Sequence, residues 1–142
     1  MEGEDEPVWA GRFDTPSAVY STPAAWPADQ GDLYFGCQDQ RVYSVDADDL
    51  SLNWRTEPLG SAVVSSPGIS ATACALYCAT SDGRVLALSP QTGQVLWDYD
   101  LRDPQGEDWS TAQVRSSPAI VVNRLFIVAG DSSNRKLYCF GP

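Results

Sequence analysis

One strand pattern occurs three times along this chain of 142 residues. Each copy begins with a Ser/Thr-Pro pair and continues through two apolar or aromatic strands, and in two copies a further strand bears a tryptophan. The prolines of the pairs are spaced by 44 and 51 residues, at Pro23, Pro67 and Pro118. A period in the forties made of strands alone is typical of four-stranded units that stack on one another, because one small sheet cannot bury both of its faces.

The repeats predict an all-β fold, a β-propeller with three four-stranded antiparallel blades. Blade 1 is assigned to residues 19–57, blade 2 to 63–100 and blade 3 to 113–142. The unbroken apolar character of the second and third strands fits burial between neighbouring blades. Blade 3 lacks an outer strand, whereas an unattached outer strand precedes blade 1 at residues 8–14, after an acidic tail at 1–7.

The unattached outer strand at residues 8–14 bears on how copies of the chain assemble. Propellers close when an amino-terminal strand completes the last blade, because no sheet edge then stays exposed. Three blades are fewer than the roughly four to eight that close into a ring. The sequence therefore predicts a homodimer by strand exchange, in which two chains placed head to tail form a six-bladed ring. The alternative is a piece of a longer propeller with open edges.

The composition of the chain limits the catalytic groups, metal ligands and partners that are available to it. The chain has no histidine, which removes the commonest general base and the commonest zinc ligand. Its 19 acidic and 9 basic residues give a net charge of −10. Such a surface repels nucleic acid and anionic membrane, and favours a cationic protein or peptide as partner or serves solubility alone. The four cysteines are expected to be unpaired structural thiols rather than disulfides or metal ligands.

No segment has the apolar length of a membrane span or the pattern of a secretion signal. As given, the chain is expected in the cytoplasm. If a signal peptide was removed, the periplasm is expected instead.

The segment ALSPQTGQVLW at 87–97 resembles the tryptophan-docking motif of the pyrroloquinoline-quinone (PQQ) type propeller repeat. By this resemblance Thr92 and Gly93 make a tight turn, for which glycine supplies the backbone angle. Trp97 is then expected to be buried between neighbouring blades, where an aromatic ring covers a large area. Trp54 holds the corresponding place in a looser copy of the motif in blade 1.

The resemblance leaves two functional classes open. The PQQ-like family takes its name from quinone-dependent alcohol and sugar dehydrogenases that hold PQQ with calcium, and it also includes propellers that are not enzymes. The chain has no adjacent cysteine pair of the kind found in many of those dehydrogenases. We therefore expect a non-catalytic interaction or scaffold module without a cofactor. The alternative is a fragment of a quinone-dependent oxidoreductase.

Three aspartates fall at the same turn when the blades are overlaid: Asp39, Asp82 and Asp131. This turn joins the second and third strands, so the three carboxylates are expected at one mouth of the ring. Carboxylates gathered there would attract calcium or a basic peptide. The alternative is that aspartate serves these positions only as a good turn former.

The connection at 101–113 departs from the repeat because it is longer than its counterpart in blade 1. Loops carry binding more often than strands do. The residues expected to bind a partner there are Asp103, Glu107, Asp108 and Trp109. Packing of Trp109 over a blade edge is the alternative. Arg115 aligns with positions on the first, innermost strand of the other blades. It is therefore expected to face the central channel of the propeller, paired with a carboxylate or holding an anion.

Overall fold

Three antiparallel sheets form the three blades in a computed structural model of the chain. The structure describes residues 6–26, 31–101, 113–130 and 135–141. Blade 1 consists of β1 (Ala24–Trp26), β2 (Asp32–Gly36), β3 (Val42–Asp46) and β4 (Leu52–Arg55). Blade 2 consists of β5 (Gly68–Ser70), β6 (Ala75–Ala79), β7 (Arg84–Leu88) and β8 (Val95–Asp100). Blade 3 consists of β9 (Ala119–Val121), β10 (Arg124–Gly130) and β11 (Arg135–Phe140).

The predicted all-β fold is confirmed, and the strands of each blade follow chain order. Every hydrogen-bonded pair is antiparallel, so the strands of each blade form a meander. The turn between β6 and β7 contains Gly83 with a φ of 106°, a conformation that glycine adopts without steric cost. Within the described residues, no helix is long and apolar enough to cross a membrane.

The core consists of layers between blades. On β7, Leu86 and Leu88 join a cluster with blade 1, and Val85 joins a cluster with blade 3. All three side chains are fully buried. The continuous apolar run of this strand is thereby explained, because a neighbouring blade covers each of its faces.

Blade 3 is covered on one face. Leu125 and Ile127 of β10 are buried against blade 2. Val128 on the same strand is 43% exposed and Leu137 on β11 is 66% exposed. Within the residues that the structure describes, β11 stands at the end of the strand order, so this blade also presents an open sheet edge there.

The predicted outer strand at 8–14 pairs with no strand in the part of the chain that the structure describes. Its place in a blade therefore stays a prediction. Phe13 packs edge-on against Phe35 and Tyr43 of blade 1, with ring centroids 6.1 and 5.9 Å away. The segment is thus anchored at Phe13, whereas Val8 and Trp9 are 88% and 78% exposed.

Candidate functional site

The first hydroxyl residue of each Ser/Thr-Pro motif is hydrogen-bonded to its own blade. The hydroxyl of Ser21 accepts from the N–H of Gly36 at 2.8 Å and donates to the Gly36 carbonyl at 3.0 Å. Ser116 makes the same pair of bonds with Val128, at 3.1 and 2.8 Å. Ser65 donates to a β6 carbonyl at 3.2 Å. These hydroxyls hold the inner strand of each blade against its second strand.

The second hydroxyl residue of each motif connects one blade to the next. The backbone N–H of Thr22 donates to the hydroxyl of Ser66 at 2.7 Å, and the backbone N–H of Ser66 donates to the hydroxyl of Ser117 at 3.1 Å. We call Thr22, Ser66 and Ser117 the inner hydroxyl series. Sequence reasoning found the motif but missed this role. The signal was the paired hydroxyl residue before every proline, since one hydroxyl serves its own blade and the other serves a neighbour.

The structure describes two of the three aspartates that are predicted to form an acidic mouth, and both accept hydrogen bonds within their own turns. Asp39 accepts hydrogen bonds from the Tyr43 hydroxyl and from the backbone N–H of Arg41. Burial, and then the bond to Asp39, raise the pKa of Tyr43 to about 12. Asp82 accepts from the Thr80 hydroxyl. These bonds agree with the turn-forming interpretation of both residues.

A calcium site cannot be built from the described residues. Among them, no three acidic or cysteine side chains come close enough to hold a metal ion. The third predicted ligand, Asp131, lies outside the described residues, so the three-aspartate site stays a prediction.

The structure does not describe the four residues of the loop that are predicted to bind a partner. They are Asp103, Glu107, Asp108 and Trp109. Arg115, which follows the loop, is exposed. No carboxylate within the described residues lies at ion-pair distance from it, so the expected pairing is not found there.

Trp54 is held by the turn that follows β7. Its indole N–H donates to the carbonyl of Pro90 at 2.9 Å. Gly93, with a φ of 74°, lies against the ring so closely that a Cβ there would meet Trp54 Cζ3 at 2.7 Å. The Tyr34 hydroxyl donates to the same carbonyl at 3.3 Å, and burial raises the pKa of Tyr34 to about 12. Thr92 is exposed, and its hydroxyl accepts from the N–H two residues later.

Trp97 differs from Trp54. Its side chain is 38% exposed, so the expectation that it is buried between blades is wrong. Its ring lies 6.0 Å from Tyr77 and 6.1 Å from Phe140 of blade 3. An open groove of about 560 Å³ adjoins these rings. Resemblance to the motif gave the position of the ring but not its exposure, which depends on what the neighbouring blade places over it.

Comparison with known proteins agrees with the three blades. The family model described as outer membrane protein assembly factor BamB, a PQQ-like repeat model, matches residues 5–141. The chain belongs to this PQQ-like repeat family. It is 26% identical over 140 residues to the β-alanine-activating enzyme of Drosophila melanogaster, covering 88% of this chain and 12% of that protein.

Solved structures similar to this PQQ-like repeat chain include proteins with different names. BamB from Moraxella catarrhalis superposes with a TM-score of 0.70 at 16% identity, over 93% of this chain and 37% of that one. The quinohemoprotein alcohol dehydrogenase from Comamonas testosteroni gives 0.66 at 18% identity, over 80% and 17%. At these identities the likeness shows the fold alone. The chain spans well under half the length of each of these three proteins.

Proposed function

We propose that this chain is a non-catalytic PQQ-like propeller module that acts through its surfaces, and that two copies assemble head to tail as a homodimer. The observation that carries the proposal is the direction of the inner hydroxyl series. In it blades 1 and 2 each donate a backbone N–H to a hydroxyl of the following blade. The series presents the N–H of Ser117 at one end and the hydroxyl of Thr22 at the other. These are the donor and the acceptor that a second copy would join.

The amino-terminal segment supports the same assembly. Phe13 sits on blade 1 and leaves Val8 and Trp9 exposed. Phe13 follows Trp9 at the distance at which Leu101 follows Trp97, and Leu101 is buried in the cluster that blade 2 shares with blade 3. The segment 8–14 is therefore the outer strand of a preceding blade in this proposal. The open edge at β11 is the place it would fill.

Truncation tests the assembly. The intact chain is expected to sediment at twice its mass of 15.4 kDa. Deletion of residues 1–12 removes most of the exchanged strand and keeps Phe13, so the product is expected to be a monomer. Deletion of residues 1–7 is the matched control, since it removes only the acidic tail and should leave the dimer intact. A well-folded intact chain that stays monomeric at micromolar concentration would contradict the proposal.

The partner of the module, in this proposal, is a cationic protein or peptide at the mouth that carries Asp39 and Asp82. The net charge of −10 supports a cationic partner. Binding of a lysine-rich peptide is expected to weaken steeply with salt. The proposal that the module is non-catalytic has a separate test. Dye-coupled alcohol oxidation on addition of PQQ and calcium would favour the oxidoreductase alternative instead.

A further inference from the structure

Five Ser/Thr-Pro pairs occur in this chain, and the blades account for four of them. Three carry the inner hydroxyl series, and the fourth, Ser89-Pro90, lies in the turn between β7 and β8. The fifth pair, Thr15-Pro16, lies before β1 in a segment that belongs to no strand of the described residues. The architecture of the blades therefore does not explain this pair.

The segment 15–18 lies against the end of the second strand of blade 1. The carbonyl of Ala18 accepts from the N–H of Gln38 at 2.9 Å. The thiol of Cys37 makes long contacts with the carbonyls of Ser17 and Ala18, at 3.5 and 3.6 Å. Cys37 has no exposed surface, and the segment is part of what covers it.

The hydroxyl of Thr15 holds the segment in this shape. It donates to the carbonyl of Ser17 at 2.7 Å, the same carbonyl that the Cys37 thiol contacts. A phosphate on this oxygen removes the donor and places a dianion beside a carbonyl oxygen and next to Asp14 in the chain. Arg12, the one basic residue between positions 6 and 18, already pairs with Asp14 at 3.3 Å. A phosphate at Thr15 and attachment of the segment therefore disfavour each other.

The residues around Thr15 suit a proline-directed protein kinase. A residue before proline is biased toward an extended backbone, which is the shape that the cleft of such a kinase binds. Pro16 is exposed, and the side chain of Arg12, three residues before Thr15, is 74% exposed. In the other pairs of the repeat, the inner hydroxyl series ties the chain to a neighbouring blade. Thr15-Pro16 is therefore the pair that a kinase reaches with the least disruption of the blades.

We propose that Thr15 is a phosphorylation site, and that its phosphate releases the segment 15–18 from blade 1 and uncovers Cys37. The γ-phosphoryl group of Mg-ATP passes to Oγ1 of Thr15, the bond to ADP breaks, and the hydroxyl proton goes to a carboxylate of the kinase. The kinase acts on the segment when it opens locally, and the phosphate then keeps it open. All the contacts involved lie within one chain, so the inference does not depend on the proposed homodimer.

The test of the site uses the intact folded chain, Mg-ATP and a proline-directed kinase, with phosphopeptides mapped by mass spectrometry. Phosphate is expected on Thr15, whereas the three residues of the inner hydroxyl series should stay unmodified. Pro16→Ala is the matched control, because it changes an exposed side chain and removes the feature that the kinase requires. The proposal is overturned if Thr15 carries no phosphate, or if Pro16→Ala is modified equally.

The test of release measures the rate at which Ellman's reagent labels Cys37 before and after phosphorylation. The rate is expected to rise about tenfold, the change that one lost hydrogen bond with added charge repulsion gives in an opening equilibrium. Cys78 is fully buried in blade 2, and its rate should not change, which separates local release from unfolding. Thr15→Val treated with the same kinase should show no rise. An unchanged rate at Cys37, or an equal rise at Cys78, would overturn the proposal.

Discussion

Blade 2 and blade 3 are built from similar residues but are buried differently. The strand β7 of blade 2 is buried at four successive positions, from Val85 to Leu88. In blade 3, β10 alternates between buried and accessible side chains, and β11 has none that is fully buried. The comparison teaches that the repeat specifies strands suited to two neighbours, whereas burial is decided by whether both neighbours are present.

Thiol labelling should show the largest difference between the two blades. Cys78 in blade 2 is fully buried, and this burial raises its pKa to about 12, whereas Cys139 in blade 3 is exposed. The thiolate is the reactive form, so Cys78 should react only when the fold opens, on the order of a thousandfold more slowly than Cys139. Ellman's reagent with peptide mapping measures both rates. Equal rates would refute the difference, and slower labelling of Cys139 at high protein concentration would indicate that a second copy covers β11.

Leucine truncation compares the third strands directly. Leu86→Ala removes a side chain with no exposed surface, and we expect the free energy of unfolding to fall by about 2–5 kcal/mol. Leu137→Ala removes one that is 66% exposed, and in a monomer the loss should stay within about 0.5 kcal/mol. Urea denaturation of each variant measures both values. Similar losses at low concentration would mean that the outer face of blade 3 is covered.

The Trp54 side of blade 2 depends on one glycine. Gly93→Ala places a Cβ into the ring of Trp54 at a positive φ, and should cost about 2–4 kcal/mol of unfolding free energy. Gly60→Ala is the control, because Gly60 also has a positive φ but nothing within 4 Å, so only the backbone cost of about 1 kcal/mol is expected. Thermal unfolding monitored by tryptophan fluorescence distinguishes them. If both variants lose the same stability, the contact with Trp54 contributes nothing.

Alkaline titration gives an effect that is confined to high pH, since the free energy of unfolding does not change with these groups at neutral pH. Burial raises the pKa of Tyr34 and Tyr43 from 10.0 to about 12. The unfolded chain releases these protons first, so their stabilisation is complete below pH 10 and is lost as the pH rises to about 12. Tyr34→Phe should make this fall shallower by about 1.4 kcal/mol per pH unit. An unchanged slope in urea melts between pH 10 and 12 would show that Tyr34 is not protected by the interface of blades 1 and 2.

The fold could be predicted from the sequence because its information is local and repeated. The three sheets follow one another along the chain, as the repeated strand pattern predicts. What could not be predicted depends on contacts between blades. The exposure of Trp97 is one example, since the matching motif in blade 1 holds its ring against a turn.

The candidate site was predicted less well than the fold. Asp39 was a predicted site residue because an aspartate recurs at the same turn of each repeat. In the structure Asp39 accepts a hydrogen bond from Tyr43 of its own blade, and sequence spacing alone does not reveal this bond. Conversely, the contact of Phe13 with blade 1 had a signal in the sequence. An apolar residue follows Trp9 and Trp97 after the same interval, at Phe13 and Leu101.

The inner hydroxyl series gives the chain a polarity. Both of its bonds between blades have a main-chain donor on one side and a side-chain acceptor on the other, so the two ends of the series are chemically unlike. In the proposed head-to-tail assembly, a second copy therefore adds in one direction only, because like ends have no matching pair of groups to exchange. The bonds of the series do not fix the number of blades, because each one is satisfied by any correctly oriented neighbour. In that proposed assembly the curvature of the sheets decides between a closed ring and an open fibre, and we expect a substitution that flattens one blade to convert the ring into a fibre.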